Sequence, residues 1–223
     1  MSKAETKFKT ADQILGISID YSVERQRLWG IWYDSLEAGK PDFSIYDGVG
    51  YIHESYECWK LYARRYIQLL AKIDFEGVNH VLDIECGLGY STVQLAELFN
   101  CRATGTNIKG SMQWDLTCSA MRDEHGIELS EKYIPADLVF ASEYFEHFSH
   151  PNLELEGMLD VVDPKYVVTA NTFGSDSLGH FKEYNGEARS KAGRSFGNVL
   201  RRRGYKKVET KFWNNRPAVW VKA

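Results

Sequence analysis

The sequence contains no long hydrophobic run. Hydrophobic residues make up 43% of its 223 residues, but no uninterrupted apolar stretch approaches the ~18–20 residues that span a bilayer. Residues 1–13 include basic side chains with no apolar segment behind them, which is not the pattern of a secretory signal peptide. We therefore expect a protein that has no membrane partner.

Cysteine is scarce and follows no disulfide or metal-binding pattern. The four cysteines occur singly, with no CxxC pair, at Cys58, Cys86, Cys101 and Cys118. His147 and His150 are three residues apart, but two histidines without a third ligand do not make a metal site. These patterns predict no metal and indicate a reduced, cytoplasmic protein.

The sequence has neither repeats nor low-complexity tracts, and its charge is small but uneven. The formal net charge is −4, of which residues 180–223 contribute +9 and the rest of the chain −13. The basic C-terminal part is either a face for a phosphate-bearing substrate or a solvated helix face. Because the rest of the chain is acidic, we do not favour nucleic acid as a partner.

Residues 20–76 are rich in aromatic side chains and have a helical pattern. Aromatic residues recur at helical spacing between His53 and Leu70, and residues 37–42 include a glycine and a proline, which break helices. The aromatic stripe is either core packing or a surface for a flat or apolar acceptor. We expect a helical cap over residues 1–77, with candidate acceptor-facing side chains at Tyr21, Trp29, Trp32 and Tyr46.

From residue 78 onward, short apolar strands alternate with helices. Strands are predicted at 80–84, 102–107, 127–133, 136–141 and 166–170, and helices at 91–99, 111–125, 153–161 and 187–203. Segments 207–212 and 218–222 form a terminal antiparallel hairpin. This alternation is typical of an α/β fold with a mostly parallel, seven-stranded sheet and helices on both faces.

A glycine-bearing turn follows the first predicted strand. It reads Val81-Leu-Asp-Ile-Glu-Cys-Gly-Leu-Gly89 and leads into a helix. Glycine allows a tight turn and a close approach of the backbone to a ligand, and the helix start presents free N–H groups and a positive dipole end. Asp83 lies at the carboxyl end of the strand, which is the ligand edge of an open parallel sheet.

This turn resembles motif I of the class I, Rossmann-like S-adenosylmethionine (SAM)-dependent methyltransferases, whose usual form is LDxGCGxG. The segment Asp137-Leu-Val-Phe-Ala-Ser-Glu-Tyr-Phe-Glu-His147 resembles their motif IV, DLVxxxxxxEH. The distance between the two motifs and the terminal hairpin also fit. The resemblance covers residues 78–223, and it implies a methyltransferase core with SAM as the cofactor.

The resemblance also implies roles for residues in the turn, with three departures. Asp83 would orient the amino end of the methionine, and Gly87 and Gly89, in the turn that also holds Cys86, would let the backbone pass against the cofactor. Glu85 replaces the usual first glycine, and its carboxylate would repel that of the cofactor unless it points away or pairs with a cation.

The other departures concern the ribose and the adenine. Asn107 stands where the family usually has an acid that holds the ribose hydroxyls, so one ribose contact survives. The third strand is short, and Ser130 or Glu131 would replace the acid that contacts the adenine.

Polar residues after the fourth and fifth strands are the candidate catalytic groups. By the same resemblance, Ser142 and Glu143 would face the methyl-donor side. Glu146 and His147 are candidates beside the acceptor, because histidine takes up a proton near neutral pH; alternatively, they stabilise the loop. The segment after the fifth strand contributes two more side chains that contact the substrate or order a crossover loop, His180 and Tyr184.

The sequence therefore predicts SAM-dependent methyl transfer to a small molecule, a nucleotide or a nucleic-acid base. In such an in-line displacement the protein supplies positioning, desolvation and in some cases a base. Two alternatives stay open. One is a non-catalytic or regulatory member of the fold, to which the replacements at Glu85 and Asn107 and the short third strand point. The other is an enzyme that transfers a group other than methyl.

Overall fold

The N-terminal part of the chain is helical, as its pattern predicts. The computed structural model describes residues 8–117 and 121–223. Helices α1 to α4 span Ala11–Leu15, Tyr21–Glu37, Val49–Cys58 and Arg64–Leu70, with a 3-10 turn at Phe43–Tyr46 and a π-helical turn at Trp59–Ala63. Helix α2 ends at Glu37, where the predicted break begins. The division of the chain at residue 77 stays a prediction.

Strands and helices alternate over the rest of the chain. The strands are β1 (His80–Ile84), β2 (Arg102–Thr106), β3 (Glu128–Ser130), β4 (Leu138–Ser142), β5 (Tyr166–Ala170), β6 (Glu183–Tyr184), β7 (Glu187–Ala188), β8 (Tyr205–Lys207) and β9 (Ala218–Lys222). The helices are α5 (Tyr90–Phe99), α6 (Met112–Thr117), α7 (Asp123–His125), α8 (Pro151–Val162) and α9 (Arg189–Arg202).

Seven of these strands form one mixed sheet, in the order β3-β2-β1-β4-β5-β9-β8. Strands β1 to β5 pair in parallel, and β9 runs antiparallel to both β5 and β8. This arrangement confirms the predicted fold class. Because the five parallel strands point the same way, the loops after β1, β2, β4 and β5 meet at one edge of the sheet, which is the ligand edge of such folds.

Three predicted elements differ from the observed ones in extent. The hairpin strand predicted at 207–212 is observed as β8 at Tyr205–Lys207, because Gly204, at φ +85°, ends α9 early and Tyr205 is buried with its hydroxyl bonded to Pro164 O at 2.6 Å. The third strand shortens to Glu128–Ser130. The predicted helix 111–125 is observed as α6 and α7, and residues 118–120 between them lie outside the described residues.

Apolar side chains cover both faces of the sheet. One face packs against α8 and α9 through residues such as Leu155, Leu159 and Phe196, and the other against α4 and α5 through residues such as Leu70 and Leu95. Burial of this kind contributes roughly 1.5–3 kcal/mol for each large side chain. The two packed layers hold the strand ends, and therefore the loops at the ligand edge, in fixed positions.

The N-terminal helices dock on the ligand edge through Trp32. Its side chain is fully buried, and its indole N–H donates to the backbone oxygen of His180 at 3.0 Å, in the loop after β5. Phe181 packs edge-on against the same indole. Since an indole N–H removed from water needs a partner, this contact fixes the cap against the site.

Two arginines at the C-terminal end of α9 pair with acids of α8. Arg202 bonds to Glu156, and Arg203 bonds to Asp160. These exposed pairs support the interpretation of the basic C-terminal part as a solvated helix face, rather than a phosphate-binding one. No helix in the described ranges is long and apolar enough to cross a membrane.

Candidate active site

Two cavities lie at the ligand edge of the sheet. The inner one, of about 370 Å³, is lined by the turn after β1, the ends of β4 and β5, and helix α3. The outer one, of about 940 Å³, opens between the ends of β2, β3 and β4 and the 3-10 turn of the cap. Glu85 and His147 line both cavities, so the two spaces meet at these residues.

The turn after β1 has the tight geometry that its glycines predict. Glu85, Gly87 and Gly89 have φ values of +51°, +56° and +78°, and Gly89 is the N-cap residue of α5. The N–H groups of Glu85 and Cys86 donate to the side chain and backbone of Thr106, at 3.0 and 2.9 Å. The turn is therefore tied to the end of β2, and it forms a wall of the inner cavity.

Asp83 lies buried beneath this turn. Its Oδ2 accepts hydrogen bonds from the hydroxyls of Ser91 and Thr92, at 2.6 and 2.7 Å, so neither hydroxyl occupies Oδ1. Burial raises the pKa of the Asp83 carboxyl to about 6, although both hydroxyl bonds lower it. At neutral pH Asp83 is mostly ionised, and it lines the inner cavity.

Glu85 lies where the two cavities meet, and its carboxyl is mostly protonated at pH 7. Burial raises the pKa of its carboxyl to about 8, because a carboxylate removed from water loses hydration. The repulsion expected between Glu85 and a ligand carboxylate is therefore weak at neutral pH. The positive φ explains why a glycine is usual here, since other residues adopt this conformation at a cost of ~1–2 kcal/mol.

Asn107 and Cys86 support the turn from below. The Asn107 amide donates to Gly87 O at 3.0 Å, and its Oδ1 accepts the N–H of Ile108 at 2.8 Å. Asn107 lines the outer cavity, but its amide is engaged in bracing the turn. The Cys86 thiol is buried against Gly105, where a Cβ would lie 2.5 Å from Sγ.

Of the two residues predicted near the adenine, one lines a cavity. Glu131 lines the outer cavity, and it pairs with Lys109 at 2.7 Å. Ser130 instead donates through its hydroxyl to Lys132 O at 2.7 Å. Both residues are placed by the short strand β3, whose register with β2 brings Ser130 beside Thr106.

A buried carboxyl pair follows β4. Glu143 Oε2 accepts the hydroxyl of Thr172 at 2.9 Å, and Glu146 Oε1 accepts the Thr172 N–H at 2.5 Å. The two carboxyl groups also lie within hydrogen-bonding reach of each other. Burial raises the pKa of both groups, and the charge of Glu143 raises that of Glu146 further. Two carboxyl groups in such contact hold a proton between them.

The two members of the pair face different surroundings. Glu143 and its neighbour Ser142 line the inner cavity. Ser142 Oγ is buried and has no hydrogen-bond partner among the described residues, and the buried Glu143 Oε1 has none apart from the proton shared with Glu146. Glu146, in contrast, is completely buried behind the cavity wall, and its backbone oxygen accepts the Tyr184 hydroxyl. Glu146 and Tyr184 therefore hold the loop, and Glu143 faces the space where a ligand would bind.

The structure brings His147 and His180 together, with ring centroids 5.3 Å apart. His147 Nδ1 lies 3.0 Å from the Tyr46 hydroxyl, and His180 Nδ1 lies 3.1 Å from Ser175 O. Burial lowers the pKa of His147 to about 3 and that of His180 to about 4. Both rings are therefore neutral at pH 7 and offer hydrogen bonds rather than charge.

Gly179 allows the histidines and Tyr46 to pack together. Its φ is +79°, and a Cβ at this position would collide with the Tyr46 hydroxyl and with His147 Nδ1. The loop after β5 can therefore approach the cap and the loop after β4 only if this residue is glycine.

Several residues of the inner cavity were not predicted from the sequence. Arg216 lies between the two segments of the predicted terminal hairpin, and it donates to Thr172 Oγ1 at 2.9 Å. Arg25 and Glu54 come from the cap and form an ion pair at 3.1 Å beside the cavity. An arginine in a turn after an apolar strand was the available signal for Arg216, while the ion pair depends on how α2 packs on α3.

The four aromatic residues proposed to face an acceptor have different positions. Trp32 is core, Tyr21 bonds through its hydroxyl to Glu54, and Trp29 packs on Tyr33. Tyr46 lines the outer cavity. Within residues 8–117 and 121–223, no group of three or more His, Cys, Asp or Glu side chains is placed to hold a metal ion.

The chain is similar to known proteins in its structure. No protein-family model and no curated protein sequence matches the chain. An O-methyltransferase family protein from Burkholderia thailandensis superimposes with a TM-score of 0.65 and 12% sequence identity, over 91% of this chain and 69% of that protein.

Two further solved structures share the architecture. The mitomycin 7-O-methyltransferase MmcR has a TM-score of 0.55 and 13% identity, over 96% of this chain and 72% of its own. Magnesium protoporphyrin IX methyltransferase (ChlM) from Synechocystis PCC 6803, with bound SAH, has a TM-score of 0.51 and 13% identity. The match covers 92% of this chain and 100% of that protein. The chain therefore has the fold of the class I SAM-dependent methyltransferases.

Proposed function

We propose that the protein transfers a methyl group from SAM to a small-molecule or nucleotide acceptor. The observation that carries this proposal is the turn Glu85–Gly89, which joins β1 to the N-terminus of α5 at the ligand edge of a sheet with methyltransferase topology. Two of the similar structures named above are of enzymes that methylate small molecules, and one of these has SAH bound.

The cofactor would lie across both cavities. The methionine end fits the inner cavity, where Asp83 is ionised and available to the amino group, and Glu85 is neutral beside the carboxylate. The adenosine fits the outer cavity, where Ile108 and Glu131 follow β2 and β3. SAM supplies the methyl group on a positively charged sulfur, which the nearby carboxylates favour electrostatically.

The residues after β4 would position the acceptor and receive its proton. Glu143 faces the inner cavity. Its buried Oε1 receives no hydrogen bond from the described residues other than the one shared with Glu146. Because burial raises the pKa of Glu143 above its ordinary value, the carboxylate is a stronger base than an exposed one and suits a general base. His147 is neutral, so it would orient the acceptor by accepting or donating a hydrogen bond, as would His180 behind it.

The neutral state of Glu85 bears on the alternative of a non-catalytic protein. Charge repulsion at Glu85 was one ground for that alternative, beside Asn107 and the short third strand, and burial of the Glu85 carboxyl removes most of this repulsion at pH 7. A cytoplasmic location and the absence of a nucleic-acid partner remain part of this proposal.

Substitutions in the turn test where SAM binds. Asp83→Asn keeps an acceptor for Ser91 and Thr92 but removes the charge, and we expect SAM affinity to fall about tenfold, the loss of about one charged hydrogen bond. Gly87→Val places a branched side chain at φ +56° beside Ser55 and is expected to abolish measurable binding. Calorimetric titration with SAM provides the measurement.

Gly126→Ala is the matched control for Gly87→Val. Gly126 also has a positive φ, +67°, and a Cβ there would meet no described atom within 4 Å. We expect this variant to bind SAM as the wild type does. Unchanged SAM affinity in folded Gly87→Val or Asp83→Asn protein would show that the cofactor lies elsewhere.

A further inference from the structure

The outer cavity has two chemically different ends. The end beside β2 and β3 is polar, with Asn107, Lys109, Glu131 and Lys132. The end beside the loops after β4 and β5 is aromatic, with Phe43, Tyr46, Phe148 and Phe181. Its volume of about 940 Å³ is near the upper end of the ~300–1,000 Å³ that ligand pockets span. A nucleoside at the polar end would therefore leave the aromatic end for a second molecule.

The rings of the aromatic end are held in place by contacts with other aromatic side chains. Phe181 packs edge-on against the buried Trp32, and Phe43 stacks on Tyr46 with ring planes 18° apart. Tyr46 in turn packs edge-on against Tyr51, with centroids 4.9 Å apart. Rings fixed in this way lose little freedom when a ligand binds between them, which favours binding of a planar molecule.

The polar atoms of this wall are already bonded. The Tyr46 hydroxyl bonds to His147, and the Tyr144 hydroxyl bonds to Glu154 at 2.9 Å and to Tyr133 at 2.7 Å. An occupant therefore meets apolar ring surface, and polar contact is concentrated at His147 and Glu85, where the inner cavity begins.

Exposed apolar side chains also line the outer cavity. Among the described residues, eight large hydrophobic side chains are exposed, and three of them line this cavity: Phe43, Ile108 and Val161, which are 55%, 68% and 50% exposed. Exposed apolar groups that gather around a cleft mark a binding groove rather than ordinary surface.

We propose that the aromatic end of the outer cavity binds the methyl acceptor, and that the acceptor is a planar aromatic molecule with a phenolic hydroxyl. Its ring system lies among Phe43, Phe148 and Phe181, and its hydroxyl reaches the junction at His147. This inference rests on the proposed function. In the reaction the oxygen–methyl bond forms as the sulfur–methyl bond breaks, its electron pair stays on sulfur, and the hydroxyl proton passes to Glu143.

Binding of a simple phenol tests this site separately from the cofactor. The probe is 2-naphthol, titrated by calorimetry into the full chain saturated with SAH. We expect the wild type to bind it, and Phe43→Ala and Phe148→Ala to bind about tenfold more weakly while their SAH affinity is unchanged. A ring contact of ~0.5–1.5 kcal/mol plus lost burial gives a change of this size.

Leu153→Ala is the control, because Leu153 is a 66% exposed side chain that lines neither cavity. It should leave 2-naphthol binding unchanged. Failure of the SAH complex to bind 2-naphthol, equal binding by all three variants, or preferential binding of a nucleoside monophosphate would overturn the acceptor site. If SAH does not bind but 2-naphthol binds in a Phe43-dependent way, the proposed function fails and the aromatic site stands.

Discussion

Replacing Gly179 with alanine is expected to reduce methyl transfer by about a hundredfold or more. The new Cβ would collide with the Tyr46 hydroxyl and His147 Nδ1, so both side chains must move away from the junction of the two cavities. Displacement of a positioning group by about 1 Å costs on the order of 10²-fold in rate. SAM affinity should change little, because the turn after β1 is not touched; initial rates and calorimetry on the same preparation provide the comparison.

Gly186→Ala separates this effect from backbone strain. Gly186 lies in the turn between β6 and β7 at φ +71°, close to the +79° of Gly179, and its Cβ would contact no described atom within 4 Å. Both variants should therefore lose the ~1–2 kcal/mol of stability that a left-handed residue costs, but only Gly179→Ala should lose turnover. Equal rates for the two folded variants would mean that His147 and Tyr46 do not position the acceptor.

SAM binding by the wild type is expected to weaken as the pH rises through about 8. Burial raises the pKa of Glu85 to about 8, so the group is neutral below this pH and becomes a carboxylate beside the carboxylate of the cofactor above it. If binding requires the protonated form, affinity falls about tenfold for each further pH unit. Titrations between pH 6.5 and pH 9.5 would measure how steeply the SAM affinity falls with pH. Ionisation of one group gives a fall of about tenfold per pH unit.

Glu85→Gln is the matched control, since an amide has the same shape and does not ionise. The α-amino group of SAM titrates in the same range, and this contribution is common to both proteins, so the difference between their slopes belongs to Glu85. The variant should match wild-type affinity at pH 7 and bind more tightly at pH 9. Parallel slopes would show that Glu85 does not face the cofactor.

The raised pKa of Glu85 also makes the stability of the folded protein fall as the pH rises. Its pKa in the folded protein lies above the unfolded value, so the stabilisation is fully present below the unfolded pKa, near 4.5, and is lost as the pH rises through about 8. The lowered pKa values of His147 and His180 act in the opposite direction below 6.5, the ordinary pKa of histidine. Between pH 6.5 and 8.5, the melting temperature of Glu85→Gln should therefore fall less than that of the wild type.

The local pattern of the sequence was sufficient to predict the turn after β1 and most of the sheet. Glycine at 87 and 89, an acid at 83 and a flanking strand and helix are all encoded within a dozen residues. The extent of β8 was predicted wrongly, because alternation at 208–212 suggested a strand whereas the pairing with β9 begins earlier, at Tyr205.

Features that depend on contacts between residues far apart in the sequence could not be predicted from the local pattern. The Glu85 pKa follows from burial, which no local pattern reveals, and the same sequence motif would allow a fully charged group. Arg216 reaches Thr172 only because β9 lies beside β5. Trp32 and Tyr46 look alike in a list of aromatic residues, yet one is core and the other lines a cavity, because the cap docks with Trp32 towards His180.

Calorimetric titration of SAM and SAH into the wild-type protein at neutral pH tests whether the site at the turn Glu85–Gly89 holds this cofactor. We predict saturable binding of one molecule per chain, with a rise in melting temperature, because a ligand at 100 times its Kd stabilises the folded state by about 2.7 kcal/mol. Absence of both heat and thermal shift at millimolar SAM and SAH would mean that the protein does not bind this cofactor.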